Sequence, residues 1–297
     1  MKPKTLFALA FTLLAWSSAF AAIRLALKFY SPGALALVRF SMASLFLLAY
    51  SRVAKVRLPQ RKDFALIVLC SFLGVSLYHI ALNFGEVKVP AGAAAFLVNT
   101  GHVFTALLAR FWLKERLRPL GWVGMAVSLG GVALLAFKDD KDLAFEPRSL
   151  LIVLAAAAAS VYLVLQKPLF ARYSALEVST YVVCLGTVFL LVFIPEAVRD
   201  ITLAPANVTL AVLYLGVVPG ALGIFGWTYI MSKMTASTAV SFLYLVPVLA
   251  TGIAWLWLGE KPGALSLAGG SLALLGVVIV QRWGKPEALP ANPPDPA

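Results

Sequence analysis

The chain has 297 residues, of which 61% are hydrophobic and only 13% are charged, and its mean hydropathy is +0.91. An average soluble domain carries about 25% charged residues, so this composition excludes an ordinary soluble enzyme and indicates a polytopic membrane protein. The net charge of +12 comes from 25 Lys and Arg against 13 Asp and Glu. Such an excess is typical of nucleic-acid binding, of an anionic membrane surface or of cytoplasmic loops, and the positions of the charges distinguish them.

Ten apolar runs are long enough to cross a bilayer, whose hydrocarbon core of about 30 Å needs roughly 20 helical residues. Only short connectors and a tail remain between and after them. In chain order the runs are 5–27, 34–53, 64–84, 91–113, 120–137, 149–171, 176–194, 208–231, 236–258 and 264–281. The sequence therefore predicts an all-α polytopic membrane protein with ten transmembrane helices.

The basic residues are distributed unevenly between the two ends of these runs. If the N-terminus lies in the cytoplasm, 15 Lys and Arg fall on the cytoplasmic side and 7 on the opposite side. This bias follows the positive-inside rule and predicts that both termini are cytoplasmic. Topology thus explains the net charge, and no nucleic-acid partner is needed.

The chain resembles itself when it is shifted by 145 positions. Residues 91–132 then align with residues 236–277 without a gap. Matches of Ala and Leu are common between membrane segments, but the shared Trp-Leu-x-Glu pattern at 112–115 and 257–260 is not. The alignment indicates an internal duplication, with a repeat kept only for packing as the alternative.

A second likeness extends the duplication over both halves, since Phe-Leu-Gly-Val at 72–75 resembles Tyr-Leu-Gly-Val at 214–217. The predicted division is a first repeat over 1–143, a second over 144–283, and a Pro-rich, disordered tail over 284–297. Each repeat holds five spans. Because five is an odd number, the second copy crosses the membrane in the opposite sense, which is the inverted-repeat architecture of secondary transporters.

Several motifs resemble the drug/metabolite transporter superfamily. They are Leu-Lys-Glu-Arg at 113–116 and Leu-Gly-Glu-Lys at 258–261, Trp16 followed by Ser17-Ser18, and Arg39 early in the second span. The branch is the ten-span one with paired EamA-type domains, and the chain looks most similar to YddG-type amino-acid exporters. This resemblance implies export of a small metabolite across the bacterial inner membrane.

No Asp or Glu lies in the interior of a predicted span. Small multidrug exporters that resemble this superfamily use an embedded Glu in their first span to carry cations. Without such a carboxylate, export of cationic drugs is the weaker alternative.

Polar and aromatic side chains recur at helical spacing inside the spans. In the third span, Ser76, His79, Asn83 and Glu86 lie on one helical face. Buried polar groups are costly unless they are paired or hydrated, so such stripes indicate a water-accessible cavity, although each group can instead bond a neighbouring helix. The predicted substrate-binding residues are Trp16, Phe20, Tyr78, His79, Asn83, Asn99, His102, Tyr162, Gln166, Trp227 and Tyr244. Arg39 is interpreted as a structural residue in preference to a substrate ligand.

Helix-breaking residues predict hinges in two spans. Pro219 and Gly220 lie within the eighth span, and Pro247 lies midway along the ninth. The 145-residue shift places Pro247 opposite His102, with Gly101 beside it. Interruptions at matching positions of two halves indicate the centre of a transporter, with a simple packing kink as the alternative.

The leading hypothesis is a secondary-active or facilitative exporter of amino acids, aromatic or neutral, or of related metabolites by alternating access. The rivals are a membrane-embedded enzyme using His79 and His102, for which the spans show no catalytic constellation, and a lipid-handling or sensory protein. The expected partners are a small-molecule substrate and the bilayer, with no metal and no cofactor. Proton coupling through the two histidines is left open. So is the choice between monomer and homodimer, since spans five and ten carry several glycines.

Overall fold

The computed structural model describes residues 1–89, 91–115, 117–136, 147–258 and 264–284. Within these ranges every regular element is helical, which agrees with the predicted all-α class. The tail predicted to be disordered, apart from Gly284, and the Glu260 motif lie outside the described residues. So does the side chain of Phe20.

The described part of the first half forms six α-helices and one π-helical segment. Proline occupies the first position of three of them. The N–H at this position has no partner within a helix, so its absence costs no hydrogen bond, and the fixed φ of proline suits a helix start. The elements are α1 (Pro3–Ala26), α2 (Pro32–Val53), α3 (Arg61–Ser71), the π-helix Phe72–Leu77, α4 (Tyr78–Glu86), α5 (Ala91–Trp112) and α6 (Pro119–Ala136).

The second half is interrupted more often. A capping box begins α8, because the Ser174 hydroxyl accepts from the Glu177 N–H and the Glu177 carboxylate accepts from the Ser174 N–H. The elements are α7 (Ser149–Leu165), the 3₁₀-helix Lys167–Ala171, α8 (Ala175–Leu190), the 3₁₀-helix Leu191–Phe193, α9 (Ile194–Leu203), α10 (Ala206–Leu215), the π-helix Gly216–Gly223, α11 (Ile224–Lys233), α12 (Ala236–Ser241), the 3₁₀-helix Phe242–Tyr244, α13 (Leu245–Leu258) and α14 (Ala264–Trp283).

Among the described residues, six helical stretches are long and apolar enough to cross a membrane, by length and composition. They are Pro3–Ala26, Pro32–Val53, Arg61–Glu86, Ser149–Ala171, Ala175–Leu203 and Ala206–Lys233. Shorter apolar helices cover Pro119–Leu134, Ala236–Ala250 and Leu267–Trp283. Large apolar side chains point outward, for example Phe7 at 73% and Phe111 at 78% exposure, as lipid contact requires. The protein is therefore a multi-pass membrane protein.

The main apolar core lies between the two halves. It includes Phe40 of α2, Leu190 of α8 and Ile230 of α11, all of which are fully buried. A smaller core joins α6 to α14 around Met125 and Val280. Among the described residues, α6 and α14 contribute no buried side chain to the main core, and they pack mainly against each other.

Glycines allow α6 and α14 to pack with their backbones in contact. A Cβ atom on Gly124 would lie 2.7 Å from the carbonyl oxygen of Gly276, and one on Gly131 would lie 2.5 Å from that of Gly269. Under the 145-residue shift, Gly124 becomes Gly269 and Gly131 becomes Gly276. The two approaches are thus one contact made twice, as a two-fold axis requires. These glycines are used for packing within the chain.

Two further features repeat between the halves. The Ser128 hydroxyl donates to the Ala273 carbonyl over 3.1 Å, and these residues are equivalent under the same shift, so this bond lies across the symmetry axis. The π-helices Phe72–Leu77 and Gly216–Gly223 occupy the same place in each half, at the motifs that resemble each other in sequence. Such single-turn widenings are frequent at functional sites.

Candidate functional site

A cavity of about 170 Å³ lies between the two halves of the chain. Its lining comes from α1, α2, the first π-helix, α4 and α5 on one side, and from α7, α8, the second π-helix, α11 and the start of α13 on the other. Val98 and Gly101 face it together with Leu243 and Val246, their equivalents under the 145-residue shift. Among the described residues, none from α6 or α14 contributes.

One wall of the cavity is aromatic. The rings of Trp16 and Trp227 lie 5.4 Å apart at 47°, and both line the cavity. The Trp16 Nε1–H donates to the carbonyl of Pro219, within the second π-helix, over 3.1 Å. The donor of Trp16 is therefore satisfied, and this wall offers ring faces to a bound molecule.

A second cluster surrounds His79, at the start of α4. Its ring centroid lies 4.4 Å from that of Phe40 and 4.6 Å from that of Tyr78. His79 Nδ1 is buried and makes no hydrogen bond within the described part of the chain. The cluster thus brings one polar nitrogen to the cavity among aromatic neighbours.

A third part of the lining lies where α5 approaches α7. The Ser160 Oγ lies 2.7 Å from the carbonyl oxygen of Gly101, and a Cβ on Gly101 would lie 2.9 Å from that of Ala156. His102 follows in α5, and its ring packs edge-on against Tyr244 at 5.3 Å. Gly101 therefore provides close helix contact beside the cavity.

The structure brings seven of the predicted substrate-binding residues to this cavity. They are Trp16, Tyr78, His79, Asn99, His102, Tyr162 and Trp227. Three others, Asn83, Gln166 and Tyr244, lie away from its lining. Phe20 belongs to the residues whose side chains are not described.

Each of the three residues away from the lining is buried among helices. The Asn83 amide donates to the Pro32 carbonyl at the start of α2 over 3.0 Å, which is the alternative role considered for such groups. Gln166 is completely buried at the end of α7, and Tyr244 is completely buried beside His102.

The predicted hinge residues have different surroundings. Pro219 and Gly220 lie in the second π-helix, and Pro219 lines the cavity. Pro247 lies in the first turn of α13, directly after the 3₁₀-helix, because a proline ring excludes an α-helical carbonyl four residues earlier. In contrast, α5 continues through Gly101 and His102, so the interruption of the ninth predicted span has no counterpart there.

Arg39, interpreted from the sequence as a structural residue, lies at the cavity. It lies in α2 with only 5% of its surface exposed, and it lines the cavity. The sequence signal was present, because Arg39 is the most deeply placed basic residue of the predicted spans. Whether the Arg39 side chain faces the cavity depends on the rotation of α2 about its axis, and the sequence composition does not determine that rotation.

Glu115, from the Leu-Lys-Glu-Arg motif, is explained by helix capping. Its carboxylate accepts from the N–H groups of Ala236 and Ser237 over 2.9 and 3.1 Å, and from the Ser237 hydroxyl over 2.9 Å. An anion at a helix N-terminus satisfies unpaired donors and complements the helix dipole. Glu115 thus joins the end of α5 to the start of α12.

Ion pairs connect the segment after α2 with the start of α8. Arg57 Nε lies 2.9 Å from a carboxylate oxygen of Glu177, and Arg172 lies 2.6 Å from that of Asp63. The Tyr173 hydroxyl also donates to Asp63 over 2.8 Å. The hydrogen bond that Arg57 donates to the Glu177 carboxylate raises the pKa of Arg57 above its ordinary value. These contacts hold the two segments together, and Tyr173 also belongs to the main apolar core.

The fold and cavity define a class, that of multi-pass helical membrane proteins whose two related halves enclose a solute-sized space. The chain belongs to the EamA-like transporter family, whose sequence profile matches residues 3–137 and again residues 148–282. The resemblance stated from the sequence motifs is confirmed.

Individual relatives agree with this membership. The chain is 40% identical over 280 residues to a probable terminal-alkyne amino-acid exporter of Streptantibioticus cattleyicolor, covering 94% of each chain. It is 40% identical to the uncharacterized transporter YdfC of Bacillus subtilis, covering 88% of this chain and 86% of that one. It is 27% identical to the uncharacterized inner membrane transporter YedA of Escherichia coli K12, covering 89% and 84%.

A solved crystal structure has the same fold. Its TM-score is 0.76, at 21% sequence identity, and the match covers 94% of this chain and 97% of that one.

Proposed function

We propose that the protein exports amino acids, neutral or aromatic, or closely related metabolites. Transport is secondary-active or facilitative and proceeds by alternating access around the central cavity. The observation that carries this proposal is the cavity itself, which both halves line at equivalent positions and which combines aromatic faces with a few polar groups. The relative described as a probable amino-acid exporter supports the choice of substrate.

The architecture in this proposal has ten spans in two inverted repeats, 1–143 and 144–283, followed by the tail 284–297. The two matches to the family profile, the paired π-helices and the reciprocal contact of α6 with α14 support this division. The positive-inside bias supports a cytoplasmic location of both termini. The relative described as an inner membrane transporter supports the bacterial inner membrane as the location.

The substrate-binding surface in this proposal comprises the seven predicted residues that line the cavity. Trp16, Trp227 and Tyr162 supply aromatic contacts, and His79, Asn99 and His102 supply polar groups. Tyr78 packs against His79 and fixes the orientation of its ring. Family membership and the names of the relatives support transport in preference to an enzymatic reaction.

Counterflow in proteoliposomes tests this function. Purified protein is reconstituted with an unlabelled solute inside, and uptake of the labelled solute is measured for L-phenylalanine, L-leucine, L-propargylglycine and the cation tetraphenylphosphonium. We expect counterflow of at least one of the three amino acids. Flux of the cation alone would favour the multidrug alternative, and no flux of any solute would contradict transport of this class.

A further inference from the structure

We propose that Arg39 binds the carboxylate of the transported molecule, so that the cavity selects carboxylates over the corresponding amides and amines. This inference rests on the proposed function and adds the chemical group that the cavity recognises.

The guanidinium of Arg39 makes no direct ion pair in the described part of the chain. Within the same ranges its buried Nε makes no hydrogen bond. Glu86, at the end of α4, acts on it electrostatically, but Glu86 Oε1 makes no hydrogen bond either. The guanidinium carbon lies 5.2 Å from the centre of the Phe40 ring, which stabilises the charge in part. A cation at 5% exposure without a directly bonded anion is still unfavourable, and an anionic ligand would relieve this cost.

The equivalent place in the second half carries no arginine. Ser31 and Ser174 are the N-cap residues of α2 and α8, the corresponding helices of the two halves. The eighth residue after Ser31 is Arg39, and the eighth after Ser174 is Val182; both line the cavity. The second half therefore has a valine at the equivalent place, and Arg39 is the one Arg or Lys among the described lining residues.

The lining of the cavity suits a molecule that carries both a carboxylate and an apolar side chain. A guanidinium presents a planar set of donors that matches the two oxygens of a carboxylate. The Trp16 donor is already used by Pro219, so Trp16 and Trp227 offer apolar ring faces to the rest of the molecule. An α-amino acid combines both parts, a carboxylate for Arg39 and a side chain for the tryptophans.

The wild-type protein provides the first test. Counterflow of labelled L-phenylalanine is measured in competition with unlabelled L-phenylalanine and with L-phenylalaninamide, which has the same side chain but no carboxylate. We expect the amide to compete at least tenfold more weakly, because a lost charge-assisted hydrogen-bond pair costs about that factor. Equal competition by the two compounds would overturn the inference and leave the exporter function standing.

Variants provide the second test. Arg39→Gln is expected to lower L-phenylalanine counterflow tenfold or more, whereas Arg39→Lys, which keeps the charge, retains part of it. Arg110→Gln is the matched control, since Arg110 is an exposed basic residue in the last turn of α5. Glu86→Gln is expected to keep the preference for the carboxylate.

The outcomes are separable. Each variant is first checked for a single symmetrical peak in detergent, and the wild-type competition does not depend on any variant. Full counterflow with Arg39→Gln, or loss of the carboxylate preference with Glu86→Gln, would contradict the role of Arg39. Failure of the wild-type protein to move any amino acid would instead contradict the proposed function itself.

Discussion

A hydrogen bond from Trp16 to the Pro219 carbonyl joins α1 to the second π-helix at the edge of the cavity. Replacing Trp16 by Phe keeps an aromatic ring but removes the donor, and it leaves a carbonyl inside the bundle without that partner. We expect a loss of about 1 to 3 kcal/mol in stability, visible as a lower thermal unfolding midpoint in detergent. Trp283→Phe, at the exposed end of α14, is the control, and equal midpoints for the two variants would contradict this role.

Residue roles were only partly predictable from the sequence. The polar stripe of the third span correctly indicated groups that avoid lipid, and His79 does line the cavity. Asn83, one helical turn later, bonds the Pro32 carbonyl instead. His79 and Asn83 lie on the same face of the helix. Which group each of them contacts depends on the packing of distant helices, and the spacing of residues along the sequence does not reveal that packing.

Substitutions at two adjacent glycines in α6 distinguish the effect of helix packing on stability from the effect of helix propensity. A Cβ on Gly131 would lie 2.5 Å from the Gly269 carbonyl oxygen, whereas one on Gly130 would meet nothing within 4 Å. Gly131→Ala is therefore expected to lower the thermal midpoint or cause aggregation. Gly130→Ala is expected to be neutral or slightly stabilising, since Ala gains up to about 1 kcal/mol over Gly in a helix. A reversed order of the two midpoints would show that α6 and α14 do not pack in this way.

The break before Pro247 separates the short α12 from α13. Pro247→Ala would restore a backbone N–H and remove a ring clash worth up to about 3 kcal/mol, so it favours a continuous helix. Alternating access needs two states of similar free energy, and half that bias would shift their populations about tenfold. We expect counterflow to fall while expression and monodispersity survive.

Pro119→Ala is the matched control for this prediction, because Pro119 begins α6 and breaks no helix there. Normal counterflow combined with poor expression of Pro247→Ala would show that Pro247 serves packing only.

At the level of elements, the sequence predicted the breakers but not the form of every interruption. Pro219 and Pro247 marked two places where the helix departs from α geometry. The first π-helix, Phe72–Leu77, contains no proline, and only its likeness to 214–217 pointed to it. In α5, the expected interruption at Gly101 is absent, because that glycine serves close approach to Ala156.

For the whole molecule, the positive-inside bias makes a prediction about orientation. Alkaline phosphatase fused after Trp283 is expected to be inactive, because it folds only outside the cytoplasm, whereas green fluorescent protein at the same point is expected to fluoresce. A fusion of alkaline phosphatase in the connector between α2 and α3 should also be inactive. Active phosphatase at both points would show that the protein has the opposite orientation.

The measurement that tests the central claim most directly is blockage of the cavity. In a Cys70→Ala, Cys184→Ala background, Ala159→Cys places one thiol in the cavity lining and Arg52→Cys places one at the exposed end of α2. Each protein is modified with a methanethiosulfonate reagent, and the extent of modification is determined by mass spectrometry. Amino-acid counterflow is then measured. We predict that modification abolishes counterflow for Ala159→Cys and spares it for Arg52→Cys. Full counterflow through a completely modified Ala159→Cys protein would contradict transport through this cavity.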